Sequence, residues 1–286
     1  LSQYPTGLNF PLNGIPTMNG TVIPEILTRR KTDQQRRSDP LGRLEQFYHA
    51  AKKGEWSIKD LPWENADPVP RVESERWRIV WASVVQQQLQ ADIIAVEAAS
   101  NLLVDVTEFE ARMYYSTMVS DEARHCEAWT KLAHMLDPVE AHNPYLAEMG
   151  DIFREEKGLE NRVLAFQVCF EGAAIYAFKE ISAAAHQTIL GDMATRLIRD
   201  DSIHHNSGVA YAAYLLSKVP ESQKKDLHKT LKRYAPLYVE STLWKPKARQ
   251  WVARFTAQRD RELLHRNQVL INKAVLGLGL GPVFDI

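Results

Sequence analysis

From about residue 73 the chain places apolar residues three and four positions apart in long uninterrupted stretches, the period of helices with one buried face. Trp77, Val80, Trp81, Val84, Val85 and Leu89 open the first stretch, which continues through Ile93, Val96 and Glu97 to about Val104. A second begins at Thr107, with Glu110 three residues on in the spacing of a capping box, and carries Met113, Tyr114, Met118, Glu122, His125, Trp129 and Leu132. Asp137-Pro138 stops it. A third starts near Glu160, with Val163, Phe166, Val168, Phe170, Ala174 and Phe178, and a fourth covers roughly 191–217. The pattern predicts an all-α fold of four long helices. Residues 138–158, with a short helix at 145–154, are long enough to cross from one end of a bundle to the other.

The flanks add to this core. Pro5, Pro11, Pro16 and Pro24 exclude a long helix at the start, so residues 1–40 are expected to form an arm. Residues 41–286 are expected to form a single helical domain, with its core at about 73–218. Leu41–Lys53 reads as a short amphipathic helix. The segment from Gly54 to Asn65 reads as a loop whose two tryptophans, Trp56 and Trp63, pack over the bundle. After the fourth helix, Glu221–Ala235 is expected to stop at Pro236, and Pro246–Ala274 to form a last helix.

Acids and imidazoles interrupt the apolar faces in a repeated way. Glu122 and His125 are three residues apart, as are Asp201 and His204, so each pair shares a helix face and can reach one metal ion. Glu97 and Glu171 stand alone in the first and third helices. With 36 acids and nine histidines in the chain the spacing alone carries little weight, and Glu262/His265 shows it too. That third pair lies among Arg259, Arg261 and Arg266 and reads as a solvated face. The other two pairs are each preceded by an aspartate. Asp121 and Asp200 point off their own helix's metal face and could orient a neighbour's imidazole, Asp121 that of His204 and Asp200 that of His125.

The predicted ligand set is therefore Glu97, Glu122, His125, Glu171, Asp201 and His204, with His205 as an alternative seventh group. Four carboxylates crowded in a helical core repel one another, and two divalent ions cancel their charge. Oxygen-rich ligation with one imidazole per metal suits two iron ions, or a Mn/Fe pair, better than structural zinc. For acids on antiparallel neighbours to meet at one depth, the turn must fall near the midpoint of their separation. That midpoint is near residue 109 for Glu97 and Glu122, beside Thr107, and near 186 for Glu171 and Asp201, which puts the third turn at about 185–190. Gln90, Tyr115, Met118, Trp129, Gln167 and Ala174 are candidates to line a substrate pocket beside the acids.

Composition narrows the class. A formal net charge of −1 gives no nucleic-acid footprint, and no run of about 18 apolar residues is present to span a membrane. Two cysteines, Cys126 and Cys169, provide no disulfide framework, and the opening residues have neither a basic nor an apolar leader region. A cytoplasmic location is the expectation, and the additional helices would allow a homodimer.

Asp121-Glu122-Ala123-Arg124-His125 resembles the second-helix motif of the ferritin-like di-iron carboxylate superfamily, and Asp200-Asp201-Ser202-Ile203-His204 its fourth-helix motif, with aspartate where glutamate is usual. Glu97 and Glu171 match that group's single glutamates of the first and third helices. The run from Phe47 to Trp63 resembles the lead-in of its reductase-like members. The branch in question includes ribonucleotide reductase small subunits, related ligand-binding oxidases, acyl carrier protein desaturases and monooxygenase hydroxylases. The resemblance covers about 41–210 and implies a ferritin-like four-helix bundle with additional N- and C-terminal helices. It further implies a di-iron site that uses O₂ to oxidise a small organic substrate, with electrons from a donor protein or small reductant. Hydroxylation or N-oxygenation is favoured. Desaturation, a radical-generating subunit and non-catalytic iron binding are the alternatives. Radical-generating members carry a tyrosine one turn after the first histidine, where this chain has Trp129.

Overall fold

The computed structural model describes residues 39–72 and 74–286. The arm expected at residues 1–40 lies almost wholly outside them. No strand occurs among the described residues.

Helix α1 (Pro40–Lys53) starts where the Asp39 carboxylate accepts from the Leu41 N–H and Pro40 occupies the first turn, and it ends at Gly54. The core follows as α2 (Glu75–Asp105) and α3 (Phe109–Ala133). A crossover contains α4 (Pro144–Glu155), capped by the Asn143 side chain. The third core helix is α5 (Leu159–Arg162), a π-helical segment (Val163–Phe170) and α6 (Glu171–Ala184) in unbroken right-handed backbone. The fourth is α7 (Ile189–Leu216). Then come α8 (Glu221–Leu243), a 3₁₀ turn (Lys247–Val252) and α9 (Ala253–Gly277).

The bundle is two helical hairpins. α2 packs along α3 and α6 along α7, while α3 and α7 meet across the middle. The α6–α7 turn occupies residues 185–188, as the depth argument requires. It is tight because Thr188 caps α7 through the Gly191 N–H, and a Cβ at Gly191 would lie 2.1 Å from the Ala185 carbonyl oxygen. Gly208 serves a related purpose on α7. A Cβ there would meet the Gln167 side chain at 2.4 Å, so its absence lets α7 approach the π segment.

Two covers flank the bundle on different sides. α1 lies across α3 and α7, and the loop after it buries Trp56. On the other side α8 packs on α4, α9 on α6, and the 3₁₀ turn on α2.

Three local expectations are corrected. The α3 cap is Glu108, without a side-chain cap bond; the Thr107 hydroxyl instead donates to Glu108. Pro236 does not end its helix, because α8 continues to Leu243. Beyond the proline, buried Tyr238 anchors the helix by donating its hydroxyl to the Ala165 carbonyl, and tertiary docking outweighs the lost backbone bond. The segment after Pro246 begins as 3₁₀ before becoming α9.

Candidate metal centre

Glu122 is at the middle of the arrangement. Its Oε1 lies 2.9 Å from His204 Nδ1 and its Oε2 lies 3.3 Å from His125 Nδ1, so one carboxylate faces two imidazoles. Around His204 Nδ1 stand Glu171 Oε2 at 3.5 Å and Asp201 Oδ1 at 3.7 Å; across from His125 Nδ1, Asp92 Oδ2 stands at 3.9 Å. Two groups of potential ligand atoms result, Glu122/Glu171/Asp201/His204 and Asp92/Glu122/His125, each within 4.8 Å and all buried. They share Glu122.

Several of these atoms lack the partners a buried polar atom needs. Glu122 Oε1, Glu171 Oε1 and His204 Nδ1 have no hydrogen-bond partner among the described residues, although Glu122 and His204 approach to 2.9 Å. Their contact has the distance of a hydrogen bond without its direction. Buried polar atoms are almost always satisfied. Lone pairs converging from two sides on common points fit a cation, and four carboxylates facing two imidazoles fit two divalent cations.

The other nitrogen of each ring is oriented by an aspartate. His125 Nε2 lies 3.1 Å from Asp200 Oδ2, and His204 Nε2 lies 3.4 Å from Asp121 Oδ2. One cation ties the two aspartates together, since Arg124 Nη2 donates to Asp121 Oδ1 at 2.5 Å and to Asp200 Oδ2 at 3.1 Å. The Trp56 indole N–H also donates to Asp200 at 2.8 Å, and its ring stacks under Arg124. These contacts fix which nitrogen faces the carboxylates.

Burial and mutual repulsion dominate the electrostatics. Burial, then the His125 charge opposing it, leaves Asp92 raised to about 8. Burial reinforced by the Glu122 charge raises Glu171 to about 7, and burial with Glu171 beside it raises Asp201 well above its ordinary value. Glu122 behaves in the opposite way: burial resists its ionisation, but His204 and His125 outweigh that and hold it at about 2. Asp200 is likewise held low, because contact with His125 overcomes burial. The shared carboxylate is thus the anion of the group, while its neighbours retain protons that a cation would displace.

The structure brings together five of the six predicted ligands, Glu122, His125, Glu171, Asp201 and His204, and leaves out Glu97. Glu97, with its side chain 43% exposed, pairs with Arg154 at 2.7 Å. Asp92 takes the first-helix position and accepts from the Trp129 indole at 2.6 Å. Five positions separate Asp92 from Glu97, roughly 140° around a helix, so the two face different ways. The inner face of α2 carries Val85, Asp92, Ala95, Ala99 and Leu102, whereas Ile93 is 55% exposed. Ile93, one turn before Glu97, therefore lies on an outer stripe, although Val80 and Val85 of the same pattern are buried. Halfway between 92 and 122 is residue 107, inside the α2–α3 loop, whereas halfway between 97 and 122 falls inside α3.

His205 is outside both groups and faces the Val168 carbonyl. Cys126 is outside them too, and burial pushes its thiol up to about 12. Trp56, seen in the sequence only as a packing residue, belongs to the network through Asp200. No sequence spacing signalled that contact.

A cavity of about 320 Å³ reaches the centre from the α2/α6 side and touches Asp92, Glu122, Glu171 and Asp201. Of the expected pocket residues only Ala174 lines it. Gln90 instead clamps the Asn143 backbone, and Gln167 binds Tyr115, the His204 carbonyl and the Met118 sulfur inside the bundle. Trp129 is fully buried, stacked on Phe178. Tyr115, Met118 and Gln167 fail to line the cavity because they pack toward α7, on the other side of the acids.

Neither a family model nor a curated protein matches the chain. Solved structures do. The dimanganese(II) NrdF of Streptococcus sanguinis superposes with a TM-score of 0.67 at 16% identity, over 84% of this chain and 89% of that one. A variant R2-like ligand-binding oxidase with an aerobically reconstituted Mn/Fe cofactor gives 0.65 at 15% identity, over 81% and 92%. This chain has a ferritin-like helix-bundle fold. A putative class I ribonucleotide reductase from Bacillus halodurans shares that ferritin-like fold, with a TM-score of 0.62 at 14% identity over 84% of this chain and 93% of its own. The buried His/Glu/Asp cluster occupies the core of the ferritin-like bundle, between its two hairpins. No helix among the described residues is long and apolar enough to cross a membrane.

Proposed function

We propose that the chain is an O₂-dependent oxidoreductase, a monooxygenase or oxidase, that holds two iron ions or a Mn/Fe pair and acts on a small organic substrate. The observation that carries this reading is Glu122, whose two oxygens each face a different imidazole within a buried set of four carboxylates. Asp92, Glu122 and His125 would hold one ion, and Glu122, Glu171, Asp201 and His204 the other. When bound, such a pair supplies the electrons and Lewis acidity that reduce O₂ and oxidise an organic group.

The chain's own residues supply position and enclosure. Asp200 and Asp121 orient the two imidazoles, and Arg124 and Trp56 keep Asp200 in place. The largely apolar cavity admits a substrate beside the carboxylates. Hydroxylation or N-oxygenation is the favoured reaction, with electrons from a donor protein or small reductant. The fold shared with a dimanganese NrdF keeps a radical-generating subunit as the second reading, although Trp129 stands where that role would use a tyrosine.

The test is anaerobic loading with Fe(II) followed by exposure to ¹⁸O₂. Two irons per chain, a transient visible absorption and ¹⁸O in an oxidised organic product are expected. A stable protein radical with no product would favour the second reading. Absence of bound metal would end both.

A further inference from the structure

Across the cavity from the carboxylates, the C-terminal cover contributes a buried cation. Arg249, in the 3₁₀ turn before α9, is only 9% exposed and lines the cavity. Its Nη2 donates to the Gln87 side-chain oxygen Oε1 at 2.6 Å, and its buried Nε has no hydrogen-bond partner among the described residues. No carboxylate among the described residues forms an ion pair with it.

The other charges on that wall are matched. Asp260 Oδ2 is taken by Lys245 at 2.6 Å and by the Thr256 hydroxyl at 2.7 Å. Glu180 is taken by Arg259 at 2.6 Å and Arg266 at 3.1 Å. Burial lowers Arg249 to about 10, with the nearby Asp260 charge opposing the shift, so the guanidinium keeps its charge at neutral pH. A buried charge without a counter-ion is costly, and an amide carbonyl neutralises none of it.

Between this cation and the acids the lining is apolar and small. Ala91 on α2 and Ala173, Ala174 and Ala177 on α6 line it. Gln87 precedes Asp92 by five residues of α2, ~7.5 Å of helix rise. The cavity therefore has a cationic end, an apolar middle and a carboxylate end.

We infer that Arg249 is the specificity-determining residue of this site and that the substrate is an amphipathic organic carboxylate. Its anionic head pairs with the Arg249 guanidinium, and its apolar body extends between the alanines toward Asp92 and Glu171. The inference rests on the proposed function for what happens at the far end, but not for the recognition itself. A guanidinium presents its donors in a fork that suits a planar carboxylate.

The test measures binding of 4-phenylbutanoate, 4-phenylbutan-1-ol and 4-phenylbutylamine to the full chain by calorimetry, metal-free and Mn(II)-loaded, with metal content determined separately. The acid is expected to bind at least about tenfold more tightly than the alcohol in both states, and the amine most weakly. Arg249→Gln should abolish the preference for the acid, and Arg249→Lys should keep part of it, which separates loss of charge from loss of fold. Equal binding of acid and alcohol, no measurable binding of either, or a preference that survives Arg249→Gln would overturn the inference. So would a preference seen only with Mn(II), since the carboxylate would then be a metal ligand. An Arg249-dependent preference in a protein that retains no metal would refute the metal reading and leave this one standing.

Discussion

The two sides of the carboxylate cluster are built for different tasks. On the α3/α7 side, polar groups around the imidazoles have charged partners: Asp200 receives His125, Arg124 and Trp56, and Asp121 receives His204 and Arg124. On the α2/α6 side a cavity partly lined by alanines touches the carboxylates, and Arg249 stands without an ion-paired carboxylate among the described residues. The contrast separates holding from reacting. The satisfied side sets ring orientation before any ion arrives, while the unsatisfied side keeps room and charge for something the chain does not itself supply.

The largest effect should come from the group both halves share. Glu122→Ala removes the only carboxylate in both ligand groups, and metal analysis after anaerobic reconstitution should fall from two ions per chain to nearly none. Asp92→Ala should lose one ion, and retention of both would restore the case for a different first-helix ligand.

Positioning residues come next and test the contrast directly. Asp200→Asn should weaken metal binding by about 10–100-fold, the usual cost of removing a group that orients a ligating imidazole. Asp121→Asn should cost less, because its His204 contact is 3.4 Å against 3.1 Å for Asp200 and His125. Equal losses would show that the two half-sites are held alike. Arg249→Gln, on the cavity side, should leave metal affinity unchanged.

A smaller effect is the pH dependence. Burial raises Asp92 to about 8 and Glu171 to about 7, so both hold protons that a metal ion must displace. Affinity for Mn(II) should therefore fall as pH drops through that window. Calorimetry in buffers of different ionisation enthalpy should detect more protons released at pH 6.5 than at pH 8.5. A pH-independent affinity would mean the acids are already ionised in the metal-free protein.

The smallest effect belongs to Glu97. Its partly exposed pair with Arg154 should contribute little, so Glu97→Ala should leave metal content intact and the chemical-denaturation midpoint nearly unchanged. Loss of an ion in this variant would reverse the assignment of Asp92.

Helical period, turn chemistry and the acid-x-x-His pairs determined the all-α class, the order of the four core helices and the places of Glu122, His125, Glu171, Asp201 and His204, because each of these is local along the chain. The first-helix acid was not local in that sense. α2 carries two stripes, one with Ile93 and Glu97, the other with small residues around Asp92, and hydrophobicity ranks the larger residues first. Close packing favours the small ones, since Ala95 and Ala99 let the bundle close around the acids. Only the tertiary structure chose between the stripes. It alone also brought Trp56 onto Asp200 across 144 residues, and the Arg249 guanidinium onto Gln87 across 162. Contacts at such separations depend on how the covers dock on the bundle, and no periodicity along one helix records the face presented by another.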